Sequence, residues 1–182
     1  MTDYFRSLAE QFTNPVTAIA QILGFIPLIL CWFTFRVKKR SSSLVIKAIS
    51  DLLSAVHFFM LGQPTGGRIC LVNTVRGAIF YQKGKRVWAN GIYLPIIFCI
   101  ATIISSLRGW TGPESLLPMI GSCLAVVGFW QTSPSRLRRF NFVGMFLWLI
   151  YGFITLSVMT IVSNLISLTS IAVSEIKELR KK

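Results

Sequence analysis

Acidic residues are scarce in this 182-residue chain, limited to Asp3, Glu10, Asp51, Glu114, Glu175 and Glu178. Charged residues of both signs make up 14% of it and hydrophobic residues 53%, whereas about a quarter of a soluble domain is charged. There is one histidine, His57, and the carboxylates are not clustered, so a metal site is not expected. Four cysteines, Cys31, Cys70, Cys99 and Cys123, all fall inside apolar runs, and no CxxC pair occurs. Free thiols buried in an apolar phase are expected, not a disulfide framework. No nucleophile–base pair, phosphate-binding loop or paired carboxylate is visible, so neither an enzyme nor a cofactor is expected.

Cations and apolar length are what the chain does have. Nineteen Lys and Arg give a formal charge of +13, and the mean hydropathy is +0.65. A nucleic-acid binder gathers its cations on a soluble face. Here they stand in short clusters between apolar runs, which points to membrane topology and away from a nucleic-acid partner. The runs cover residues 15–35, 43–62, 65–82, 87–107, 115–131, 140–156 and 158–176. Each is about 20 residues, enough to cross a bilayer as a helix, and a lipid-embedded backbone must satisfy its own hydrogen bonds. Seven transmembrane helices are therefore predicted.

The loops set orientation. Cations cluster at 36–40, 83–86, 136–139 and 177–182, with Lys47 just inside the second span. The opposite side has only Arg6, Arg68 and Arg108. By the positive-inside rule the N-terminus is outside and the C-terminus cytoplasmic. Residues 1–14 place Tyr4, Phe5, Leu8 and Phe12 on one helical face and read as a short interfacial helix ended at Asn14-Pro15, not as a signal peptide.

Two polar pairs recur. His57 and Asn73 flank a turn at Gln63–Gly67, and Trp148 and Asn164 flank one at Thr155–Ser157, each residue eight positions from its turn centre. In helical hairpins all four lie roughly 12 Å below the turn, near the midplane of a bilayer whose hydrocarbon is about 30 Å thick. His57 to Trp148 and Asn73 to Asn164 are both offset by 91, and Gly24 to Gly121 by 97. Two three-helix units, 15–82 and 115–176, joined by a linker helix at 87–107 form a 3+1+3 arrangement of parallel repeats, a known transporter plan. Pro27 and Pro118 sit at near-matching places and read as hinges or as static kinks.

The stretches His57-Phe58-Phe59-Met60-Leu61-Gly62, Asn73-Thr74-Val75-Arg76 and Leu116-Leu117-Pro118-Met119-Ile120-Gly121 resemble the YgjV family of bacterial inner-membrane proteins. That family is in turn similar to the SWEET, SemiSWEET and PQ-loop group. The resemblance implies an all-α membrane protein of two triple-helix bundles joined by a linker helix, with an outside N-terminus. In the sugar-transporting members of that group a Trp and an Asn of each bundle line the central pocket. Trp148 and Asn164 match that pair and Asn73 matches the Asn of the first bundle, while His57 stands where a Trp is expected. No Pro-Gln dipeptide ends the first or fifth span.

The expected substrate site is therefore Asn73, Asn164, Trp148 and His57. Amides donate and accept hydrogen bonds, indole offers a flat face and a donor, and imidazole titrates near neutrality. The alternative role for the amides is to bridge packed helices. Asp51 and Arg76 are the other intramembrane charges, expected to form an interhelical ion pair, with Lys47 competing for Asp51 and ion coupling as the functional alternative. The expected function is alternating-access transport of a small polar solute, such as a sugar or an amino acid, across the inner membrane. The alternative is a non-transporting receptor, chaperone or scaffold on the same fold.

Overall fold

The computed structural model describes residues 15–34, 40–131 and 133–179. The expected interfacial helix at 1–14, residues 35–39 of the first basic loop and the end of the basic tail at 180–182 lie outside the described residues. The described chain is all helical: α1 Pro15–Leu23, α2 Phe25–Thr34, α3 Arg40–Met60, α4 Pro64–Tyr81, α5 Tyr93–Arg108, α6 Leu116–Trp130, α7 Pro134–Ile154 and α8 Val158–Leu179. Short 3-10 turns at Val87–Asn90 and Pro113–Ser115 precede α5 and α6.

Local chemistry sets these boundaries. The first run is not one continuous helix. It breaks at Gly24, three residues before Pro27, whose missing N–H leaves the Leu23 carbonyl without its helical donor. The α3–α4 turn is a Schellman cap: Gly62 (φ 69°) sits in the left-handed region, its N–H bonds to the Phe59 carbonyl, and the Gln63 N–H bonds to that of Phe58 at 2.8 Å. Pro64 then opens α4 at the position where a missing N–H is harmless. The α7–α8 turn repeats the motif, with Ser157 N–H reaching the Gly152 carbonyl at 3.0 Å. There Leu156 takes the left-handed place at φ 54°, which costs a β-carbon-bearing residue about 1–2 kcal/mol.

Two boundaries differ from the sequence expectation. The linker helix begins at Tyr93 and not at 87, because the chain spends Val87–Asn90 in a 3-10 turn and Gly91 is extended. α7 begins at Pro134 and not at 140, since proline is a good first helical residue and the cations after it need no apolar phase. Among the described residues, three helical stretches are long and apolar enough to cross a membrane: Ser41–Met60, Pro113–Trp130 and Arg136–Ile154. Pro15–Cys31, Tyr93–Arg108 and Val158–Val173 are shorter apolar helices.

The helices pack in a closed circuit. α2 packs on α3, α3 on α4, α4 on α6, α6 on α7, α7 on α8, and α8 returns to α2. α5 packs against α4 and α6. At the α6–α7 contact Gly121 and Gly144 face one another. A Cβ built on either glycine would fall 2.7–2.8 Å from the other's carbonyl oxygen, so the absence of both β-carbons is what brings the backbones together.

Polarity is distributed inside out. The exterior carries many large apolar side chains, with Ile96, Ile97, Ile100, Ile103, Ile104 and Leu107 all exposed along α5 alone. The buried residues include as many polar or charged side chains as apolar ones, among them Gln21, Asp51, His57, Asn73, Arg76 and Asn141. In water this would reverse the hydrophobic driving force. Against lipid tails it is the low-energy arrangement.

Candidate site in the central cavity

A cavity of about 90 Å³ lies inside the helix circuit. One water needs roughly 10–15 Å³ by the same measure, so the space suits a few waters or one compact solute. Each of the six circuit helices contributes to its wall, and α5 contributes nothing. Ten of the 22 wall residues form pairs at one sequence spacing: Cys31 with Ser122, Ser50 with Asn141, Ser54 with Met145, Asn73 with Asn164 and Arg76 with Ser167 are all 91 apart. The Cys31–Ser122 pair extends the 91 offset to the first helix of each half.

Three of the four residues expected at the substrate site, Asn73, Trp148 and Asn164, line the cavity. Asn73 and Trp148 converge on one hydroxyl. Asn73 Nδ2 donates to Ser122 Oγ at 3.4 Å and Trp148 Nε1 donates to the same oxygen at 3.2 Å. Sequence reasoning missed Ser122, although its 91-residue spacing from Cys31 was available as a signal. Asn164 Nδ2 donates to the Thr160 carbonyl one turn back at 2.8 Å. Across the opposite seam, Cys31 Sγ meets Ser167 Oγ at 3.2 Å.

His57 is placed elsewhere. Its Nδ1 bonds the Ala20 carbonyl and its Nε2 bonds Ser157 Oγ, both at 2.8 Å, tying α1 and the α7–α8 turn to α3. The imidazole lines a small side pocket of about 20 Å³ beside Gly24 and Met159. Pro27 lines the cavity, and its carbonyl accepts a hydrogen bond from Ser50 Oγ at 3.0 Å. Pro118 is buried in the first turn of α6, outside the cavity wall. Its missing N–H would have no intrahelical partner there, so Pro118 breaks no helical bond.

The expected Asp51–Arg76 ion pair is not formed. Asp51 Oδ1 pairs with Lys47, one turn earlier on its own helix, because i, i+4 spacing holds the two side chains face to face without any interhelical fit. Arg76 lies over the Phe129 ring instead, 5.2 Å from its centroid. Asp51, Lys47 and Arg76 all line the cavity. Asp51 Oδ2, Asn73 Oδ1 and Arg76 Nη1 are buried there without a hydrogen-bond partner. Wall residues of two adjacent helices are therefore left with two acceptors and one cationic donor unpaired.

Three aromatic rings meet at one end of the cavity, where Phe58 and Trp148 are part of the wall. Phe58 stacks at 5.7 Å from Trp148 and 5.8 Å from Tyr151, and those two rings meet edge to face at 5.7 Å. At the same end Gln21 Nε2 donates to the Leu156 carbonyl at 3.3 Å, and Thr65 Oγ1 bonds the Gly109 carbonyl and meets Ser115 Oγ. Chemically the site can hold a compact polar molecule by hydrogen bonds and charge. It brings together no activated nucleophile, and no group of three or more His, Cys, Asp or Glu able to hold a metal occurs among the described residues.

No curated protein and no solved structure matches the chain significantly. A family model described as a bacterial inner membrane protein, Imp-YgjV, matches residues 18–182. That span takes in every helix that forms the cavity, and with the apolar exterior and polar interior it places the chain in the Imp-YgjV family of bacterial inner membrane proteins.

Proposed function

We propose that this protein is a seven-span transporter that moves a small polar solute by alternating access. Two parallel three-helix bundles, 15–82 and 115–176, rock about a central site, and the linker helix gives them the same orientation, N-terminus outside and C-terminus cytoplasmic. The observation that carries this reading is the five pairs of cavity-wall residues, one from each half, at one constant spacing of 91. The helix circuit supports it: α2–α3–α4 and α6–α7–α8 are chains of the same order, joined by the equivalent seams α4–α6 and α8–α2. A site at the interface of two repeats is where alternating access needs one.

The contacts that close the ring-capped end run between the halves: His57 to Ser157, Phe58 to Trp148 and Tyr151, Gln21 to Leu156 and Thr65 to Ser115. They form an outer gate, and the charged groups lie deeper along the same cavity. His57 is then a latch of the gate and not a binding residue. Reconstituted in proteoliposomes, the protein should carry a labelled solute, and Asn73→Ala and Asn164→Ala should each abolish that flux in protein that still folds. Normal flux in both variants would refute the reading.

A further inference from the structure

Asp51, Asn73 and Arg76 line the cavity, are 4%, 6% and 3% exposed, and each carries one buried polar atom without a hydrogen-bond partner. Two of those atoms, Asp51 Oδ2 and Asn73 Oδ1, accept hydrogen bonds, and the third, Arg76 Nη1, is a charged donor. Groups of this kind are costly when left bare in a low dielectric, and a ligand of matching chemistry removes that cost.

Few small molecules satisfy all three. A sugar hydroxyl donates to the acceptors but leaves the guanidinium facing a neutral group. A simple carboxylate pairs with Arg76 but brings only acceptors toward Asp51 and Asn73. An α-hydroxy acid offers one O–H for two acceptors. An α-ammonium group offers three N–H donors and a positive charge, one carbon away from a carboxylate. Lys47 already holds Asp51 Oδ1 and leaves Oδ2 for this contact.

We propose that the cavity binds a small α-amino acid, with its carboxylate on Arg76 and its ammonium shared by Asp51 Oδ2 and Asn73 Oδ1. This rests on the transport reading of the same cavity and names its substrate class. The volume of about 90 Å³ selects short side chains, and Ser122 and Trp148 form the wall they meet.

The test varies the ligand, so that it does not depend on whether a variant folds. Calorimetric titration of the purified protein with L-alanine should show binding. L-lactate, which lacks the ammonium, and ethylamine, which lacks the carboxylate, should each bind roughly ten- to a hundred-fold more weakly, as loss of a charged hydrogen bond requires. Arg76→Gln should remove alanine binding while ethylamine, freed of repulsion by the guanidinium, binds no more weakly than before. Lactate or glucose binding as tightly as alanine would overturn the amino-acid assignment and leave transport standing. If none of the four binds and proteoliposomes move none of them, the assignment falls. If proteoliposomes also move no member of a wider set of sugars, nucleosides and organic acids, the transport reading falls with it.

Discussion

Gly121→Ala is a small perturbation with a calculable consequence. The new methyl would fall 2.8 Å from the Gly144 carbonyl oxygen and 3.0 Å from Trp148 Cδ1, where ordinary contact begins at 3.4 Å. The first obstacle is backbone, which has no rotamer to escape into. The α6–α7 seam must therefore open by roughly 0.6 Å, an overpacking change of the kind that costs about 1–3 kcal/mol. Gly144→Ala meets the Gly121 carbonyl at 2.7 Å and should cost a similar amount. Because one displacement of the same seam relieves both clashes, the double variant should cost less than the sum of the two. Denaturation in mixed detergent micelles, followed by helical circular dichroism, reads each value. Ile97→Ala, a change at an exposed position of α5, should stay within about 0.5 kcal/mol and serves as the control. Both glycine variants as stable as the parent, or strictly additive costs, would refute the close-contact seam.

Four further outcomes are expected. Asp51→Ala strands Lys47 and should destabilise the protein by about 3 kcal/mol, whereas Lys47→Met combined with Asp51→Leu should be markedly milder, because the uncompensated charge is gone; the same denaturation assay compares them. Leu156→Gly should stabilise the fold by about 1 kcal/mol by relieving its positive φ, and a loss of stability would show that the Leu156 side chain matters more than its backbone strain. His57→Phe removes both imidazole contacts at the closed end. It should increase labelling of cavity residues Cys31 and Cys70 by an impermeant thiol reagent added outside, and unchanged labelling would remove His57 from the gate. Lys85→Cys should react with that reagent only from the cytoplasmic side and Trp110→Cys only from the outside, and the reverse result would invert the topology.

Much of the fold was legible in the chain because lipid imposes simple rules. Apolar run length predicted helices, and apart from the run ends and the break at Gly24 those runs are helical where the structure describes them. The errors came at boundaries ruled by single residues. Gly24 splits the first run because Pro27 follows it, and Gly91 delays the linker helix. The site was legible in part. Asn73, Trp148 and Asn164 share a wall as their depths suggested, but depth along an axis carries no information about which way a side chain faces. His57 has the depth of Asn73 and looks toward α1 and the α7–α8 turn instead. The Asp51–Arg76 pairing failed for a related reason: depth made it possible, and the covalent spacing of Lys47 on the same helix made its rival easier.

The sequence by itself determined the medium and the all-helical character of the chain. Those follow from hydropathy, charge placement and spacing, which are properties of the chain before it packs. Tertiary structure alone decided which polar groups would be paired and which left without a partner. Ser122 became the shared partner of Asn73 and Trp148, and Asp51 Oδ2, Asn73 Oδ1 and Arg76 Nη1 were left open. That choice depends on helix rotation and on how closely neighbouring helices approach, as at Gly121 and Gly144. Hydrogen bonds are satisfied or left open over distances of about 3 Å, a scale that only the packed helices define.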